Sequence, residues 1–152
     1  MSVERAGELA RERLYLLGDV VMDAGAVLAI EPVPAAYGGD FLGSWREVLR
    51  IVEDVNHPGV RVHLDTAGVG LGGDSIGDAV ATSKDRIAHF HAAQPHLVAF
   101  SPPARNHAEA AAALNAIGYD KWLSIEMREQ RDNPLGAIKD AVRIVQKIYG
   151  LR

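Results

Sequence analysis

The sequence predicts an α/β protein built on a parallel sheet, and three observations carry that prediction. Four short apolar segments, VLAIE (27–31), VRVHLD (60–65), IAHFH (87–91) and WLSIE (122–126), have the length and composition of buried strands. Each is bounded by turn residues. Helical patterns of about a dozen residues lie between them, and that alternation is the sequence form of βαβ units.

The elements follow in order. Residues 2–24 form an opening helix, with Gly25 just past its end. Its start, MSVERAGELARERLYLL, is a charged amphipathic pattern with Glu4, Glu8 and Glu12, not a signal peptide. After the first strand, GSWREVLRIVEDV (43–55) is helical and stops before His57-Pro58-Gly59, where His57 reads as a turn residue favoured near a helix C-terminus. The second strand enters a loop rich in glycine (Gly68, Gly70, Gly72 and Gly73), and a helix covers 76–84. The third strand gives way to a long loop, 92–105. Asn106 then precedes HAEAAAALNAI with Glu109 three residues on, the spacing of a capping box, and Gly118 ends the helix. After the fourth strand, Asn133-Pro134 opens the last helix. On it, Lys139, Arg143 and Lys147 recur every four residues and read as a solvated face. The expectation is α-(βα)4, a single domain over residues 1–152.

Composition excludes several classes of function. Hydrophobic residues make up 48% and charged residues 24% of the chain, a globular balance rather than a disordered one. The net charge of −4, with no cluster of lysine or arginine, argues against a nucleic-acid or anionic-membrane surface. No apolar run approaches the roughly 20 residues that span a bilayer. There are no cysteines, which removes disulfides and thiolate metal sites and points to the cytoplasm. Any metal must be held by carboxylate, imidazole or carbonyl groups.

The chemistry collects where strands end. Glu31, Asp65, His91 and Glu126 close the four predicted strands. Four such strands fit either a small doubly wound sheet or half of an eight-stranded barrel, and in a barrel that end carries the catalytic groups. Alternation puts His63 on the same face as Asp65, His89 with His91, and Ser124 with Glu126. Three converging carboxylates repel one another unless one is protonated or a cation lies between them. An oxygen-rich set with one nitrogen suits a single Mn²⁺, Mg²⁺, Co²⁺ or Zn²⁺ with positions left open for substrate. A competing reading comes from Gly68, Gly70 and Gly73, which match G-x-G-x-x-G after a strand. A dinucleotide fold needs that motif to open the helix directly and an acid at the end of the next strand; here the next strand ends in HFH. The glycines are therefore expected to make left-handed turns and to let substrate approach.

The segments LAIEPVP, VHLDT, IAHFH and GYDKWLSIEM resemble the C-terminal half of the xylose isomerase-like superfamily of TIM barrels, which includes ketose 3-epimerases, hydroxypyruvate isomerase, inosose dehydratase and, more distantly, endonuclease IV. The resemblance covers about residues 8–150 and implies a (βα)4 half-barrel. It implies one divalent metal on Glu31, Asp65, His91 and Glu126, spaced 34, 26 and 35 residues apart as one βα unit each requires. It also implies that Glu31 and Glu126 exchange protons with a small sugar or polyol from opposite faces, beside a carbonyl and through an enediolate. Such families often carry a histidine three residues after the aspartate; here Gly68 stands there, and AAQPH follows His91. His63, His89, Arg105 and His107 are the candidate substrate contacts, with His96 on the same long loop. A half-barrel leaves two open sheet edges, so a second copy or a partner half-barrel is expected to complete it. Two other readings stand beside an isomerase or epimerase: a dehydratase, in which the same enediolate expels a hydroxyl, and a non-catalytic barrel module acting in assembly.

Overall fold

The computed structural model describes residues 2–150. The described elements are α1 (Val3–Asp23), β1 (Leu28–Ile30), α2 (Trp45–Val55), β2 (Val60–Asp65), α3 (Thr66–Leu71), α4 (Ile76–Ser83), β3 (Ile87–Ala93), α5 (Asn106–Ala116), β4 (Leu123–Glu126) and α6 (Pro134–Tyr149). Short 3-10 turns lie at Ala35–Tyr37 and Pro95–Leu97.

Every strand pairing is parallel, and the order across the sheet is β1-β2-β3-β4. That order decides between the two architectures. A doubly wound sheet has a point where strand order reverses, whereas here each strand lies beside its successor. Right-handed crossovers taken in one direction place every helix on one face of the sheet. The result is half of an eight-stranded barrel.

The outward face of the sheet makes the core. Val60, Val62, Leu64, Ile87 and Phe90 are fully buried against Val48 and Val52 of α2, Ile76 and Val80 of α4, and Leu114 of α5. A smaller cluster, Ala92, Phe100, Ala141 and Val145, lies under α6. The helices start where local chemistry satisfies their free N–H groups. Ser44 and Glu47 form a reciprocal capping box on α2, and the Asn133 side chain accepts from Gly136 N–H with Pro134 in the first turn of α6. His57 does more than make a turn. It is buried against α1, with Nδ1 accepting the Gly59 N–H at 3.0 Å and Nε2 lying 3.1 Å from Asp19 Oδ1. A side chain at Gly18 would run into its ring.

Three expectations are corrected. The glycine-rich stretch is mainly helix, α3, not a loop; of its glycines only Gly73 takes a positive φ, at 79°. Asp65 supplies the reason, since its side chain caps that helix. His91 does not end its strand, because β3 continues to Ala93. The Asn106–Glu109 capping box does not form. Glu109 instead accepts from Gly77 N–H at the start of α4, and Asn106 donates to the carbonyl of Thr66, so both serve neighbouring helices.

The edges of the sheet are less covered than its centre. Trp122, Leu135, Ile138 and Val142 are exposed around β4 and α6, as are Leu16 and Val20 on α1. Among the described residues no helix is long and apolar enough to cross a membrane.

Candidate metal centre

Strand register assembles the site. Asp65 lies opposite His91 and His91 opposite Ser124, while Ala93 pairs with Glu126, one inward-facing step further along. Glu31 follows directly on β1. His91 Nδ1 sits at the middle, 3.5 Å from Glu31 Oε1, 3.4 Å from Glu126 Oε2 and 4.0 Å from Asp65 Oδ2. One ligand atom from each of the four residues lies within 4.8 Å of the others.

Asp65 divides its two oxygens. Oδ1 accepts the Gly68 N–H at 2.6 Å and so fixes the carboxylate's orientation. Oδ2 is buried without a hydrogen-bond partner, and so are His91 Nδ1 and His63 Nε2. Leaving a buried polar atom unpaired costs about 1–3 kcal/mol, and two of these, Asp65 Oδ2 and His91 Nδ1, lie 4.0 Å apart within the quartet, where a cation would satisfy both. Three carboxylates and one imidazole fit a divalent ion in both charge and donor type.

The electrostatics agree with that fit. Burial pushes the Asp65 carboxyl up to about 6, against the Gly68 hydrogen bond, and the Glu31 and Glu126 charges push it further the same way. Burial also works to raise Glu31, but the approach of His91 and the nearby imidazoles outweigh it and hold Glu31 below its ordinary value. His91 is the converse. Burial favours its neutral form, yet Glu31 and then the other two carboxylates pull its pKa upward. His63 falls to about 4 because it is buried.

A cavity of about 100 Å³ opens at the site, lined by Glu31, Asp65, Glu126, Gly68, Tyr37 and Leu97 among others. Loops from three strands are tied together beside it. The His96 N–H donates to the Tyr37 hydroxyl at 2.9 Å, and the Arg128 N–H to the Leu97 carbonyl at 2.9 Å. His96 and Leu97 both take left-handed backbone, with φ of 60° and 57°. Neither is glycine, so this stretch is strained where it borders the site. A larger hollow between α1, α2 and the 34–43 loop lies away from the four residues.

The remaining predicted residues separate. His63 and His89 lie beside the centre, with His63 Nε2 at 3.6 Å from Glu31 Oε1 and ring centres of His63 and His89 4.9 Å apart. Arg105 is exposed, just before α5. His107, expected at the substrate, is fully buried instead, with Nδ1 at 2.9 Å from the Tyr149 hydroxyl and Nε2 at 3.3 Å from Gln94 Oε1. Sequence reading missed Leu97 as part of the cavity wall, and an apolar residue in a loop carries no pattern that singles it out.

Residues 2–148 match the family model described as xylose isomerase-like TIM barrel. The chain belongs to that family. Over 91 residues it is 35% identical to the D-psicose 3-epimerase of Agrobacterium fabrum (strain C58 / ATCC 33970), a match spanning 59% of this chain and 31% of that protein. The structure of a D-psicose 3-epimerase in the presence of D-fructose superposes with a TM-score of 0.90 at 20% identity, over 99% of this chain and 58% of that one. The structure of IolI protein with a bound zinc atom superposes with a TM-score of 0.76 at 17% identity, over 98% and 58% of the two chains. This chain thus spans little more than half the length of those barrels.

Proposed function

We propose that this chain provides the proton-transfer site of a divalent-metal-dependent sugar isomerase or epimerase. The observation that carries the reading is the placement of Glu31 and Glu126. They reach in from the two edge strands to the same nitrogen of His91, leaving a ligand seat between two carboxylates. Asp65 and His91 complete the set that would hold a cation, which when bound acidifies the C–H beside a carbonyl and offsets the charge of the enediolate.

The protein's own residues do the rest. Glu31, ionised because its pKa is held down, takes the proton from the carbon beside the carbonyl. The C–H electron pair moves to the carbonyl and makes the enediolate. Glu126, entering in its acid form on the other side of the seat, gives its proton to the opposite face of the same carbon, which inverts it, or to the neighbouring carbon while the hydroxyl proton there passes to the other oxygen, which moves the carbonyl. Each turnover leaves Glu31 protonated and Glu126 ionised, ready for the reverse reaction, and proton exchange with solvent restores the starting pair. A dehydratase shares the first abstraction and differs only in expelling a hydroxyl. The substrate is a small keto-sugar or polyol, and the absence of cysteine suits a cytoplasmic setting.

The open β1 and β4 edges, each flanked by exposed apolar side chains on α1 or α6, are covered in this reading by a second copy, β4 of each chain pairing with β1 of the other. Size-exclusion chromatography with light scattering gives a dimer if so; a stable monomer overturns that part. For the chemistry, metal analysis of the purified protein and of Glu126→Gln comes first, with at least a tenfold loss of Mn²⁺ affinity expected in the variant. Incubation with 2-ketohexoses in D₂O then reads the reaction. Deuterium at the carbon beside the carbonyl supports proton transfer, dehydrated product shows a lyase, and the absence of both with the metal-loaded protein overturns the proposal.

A further inference from the structure

Beside the acidic quartet lies a second group of ligands that the proposed reaction does not use as a set: His63 on β2, with His89 and His91 on β3. Register sets His63 directly opposite His89, and alternation sets His91 on the same inner face. The three rings stand edge to face in every pairing, with centres 4.9 Å (63–89), 4.0 Å (63–91) and 5.0 Å (89–91) apart and interplanar angles of 75°, 87° and 80°.

Those separations have a geometric meaning. With a metal–nitrogen bond of about 2.0–2.1 Å and about 1.2 Å from nitrogen to ring centre, three imidazoles on one ion have ring centres about 4.5–5.2 Å apart for ligand angles between 90° and 109°. Two of the three observed separations fall in that range, and the His63–His91 pair, at 4.0 Å, is closer and would open on binding. One nitrogen from each ring lies within 4.8 Å of the other two, and the buried Nε2 of His63 has no hydrogen-bond partner.

We infer that His63, His89 and His91 form a second, nitrogen-rich cation seat, selective for borderline ions such as Zn²⁺ over Mn²⁺ or Mg²⁺. Imidazole favours Zn²⁺, Ni²⁺ and Cu²⁺, whereas carboxylate and water favour Mg²⁺ and Mn²⁺. The quartet is oxygen-rich, whereas the trio offers three nitrogens with a single carboxylate oxygen, Glu31 Oε1, at its edge 3.6 Å from His63 Nε2, so the two seats sort ions by type. They also share His91. A neutral imidazole has one free lone pair, so it ligates one ion at a time. Zn²⁺ in the trio therefore withdraws His91 from the quartet and weakens whatever ion is there. This last step rests on the quartet reading; the existence of the trio seat does not.

Residues that belong to one set alone separate the two claims. Zn²⁺ affinity is measured against a chromophoric chelator, and Mn²⁺ binding by the loss of its free-ion resonance signal. The proteins are wild type, Glu126→Gln, and Glu126→Gln combined with His89→Ala. With the quartet broken, Glu126→Gln retains one equivalent of Zn²⁺, and adding His89→Ala weakens that Zn²⁺ at least tenfold. His89→Ala alone leaves Mn²⁺ affinity within twofold of wild type and raises at least tenfold the Zn²⁺ needed to displace Mn²⁺. His89 is only partly buried, and a retained circular dichroism melt confirms folding, with His89→Gln as the second variant. Zn²⁺ affinity unchanged by both His89 substitutions overturns the trio and leaves the quartet standing. Mn²⁺ affinity unchanged in Glu126→Gln overturns the quartet and leaves the trio standing.

Discussion

The two central strands and the two edge strands contribute to the site in different ways. Asp65 and His91 come from β2 and β3, with side chains 5% and 21% exposed, while Glu31 and Glu126 come from β1 and β4, at 35% and 43%. The central pair is held from both sides, Asp65 by the cap on α3 and His91 by strand neighbours on either hand. The edge pair sits where the sheet is open. The floor of the candidate centre is therefore fixed by shielded side chains, while the carboxylates at its margins stay accessible.

The same contrast runs through stability, and it can be broken at three points. The largest effect is expected at the centre. Phe90 on β3 is fully buried in the main core, and Phe90→Ala should cost about 3–5 kcal/mol in urea unfolding. A loss under about 1 kcal/mol would mean that the central strands are no better packed than the edges.

The second effect lies at the seam between α5 and α6, where His107 is sealed in and hydrogen-bonded to Tyr149. Burial lowers its pKa from 6.5 to about 4. The folded protein therefore stays unprotonated there while the unfolded chain takes up a proton, so stability is full above about pH 6.5 and falls as pH drops towards 4. The integrated loss is about 3–4 kcal/mol. In His107→Gln the slope over that window should flatten, and an unchanged slope would assign the acid sensitivity to other groups.

The smallest effect is expected at the margin. Ile138 on α6 is 52% exposed, and Ile138→Ser should move the unfolding free energy of the monomeric chain by less than about 0.5 kcal/mol. If the same substitution shifts a monomer–dimer equilibrium, the edge is an interface, and its apolar character has a reason that the single chain does not supply.

Much of this was legible in the residues. Strand segments, the helices between them and the parallel class follow from short apolar runs separated by periodic segments, because both periods are local properties of the chain. The four residues that meet at the candidate centre were legible because each stands near the end of its strand, and parallel strands bring those ends to one side. The exceptions are instructive. Asp65-Thr66-Ala67-Gly68 reads as a loop when glycine is taken as a breaker, but the Asp65 side chain caps the first turn and the segment becomes α3. Asn106 and Glu109 have capping-box spacing, yet α3 and α4 offered them partners that no local pattern announces. His107 stands beside a long loop in sequence and lies in the core in space.

Taken alone, the order of residues determined which groups exist, on which strands, and on which face of each strand, since period and spacing are written along the chain. Only the tertiary structure decided that β1-β2-β3-β4 lie in sequential order, that Glu31 and Glu126 meet at one nitrogen, and that three imidazoles crowd beside them. Those facts depend on register between strands, and register is settled by packing across the whole sheet rather than by any one segment.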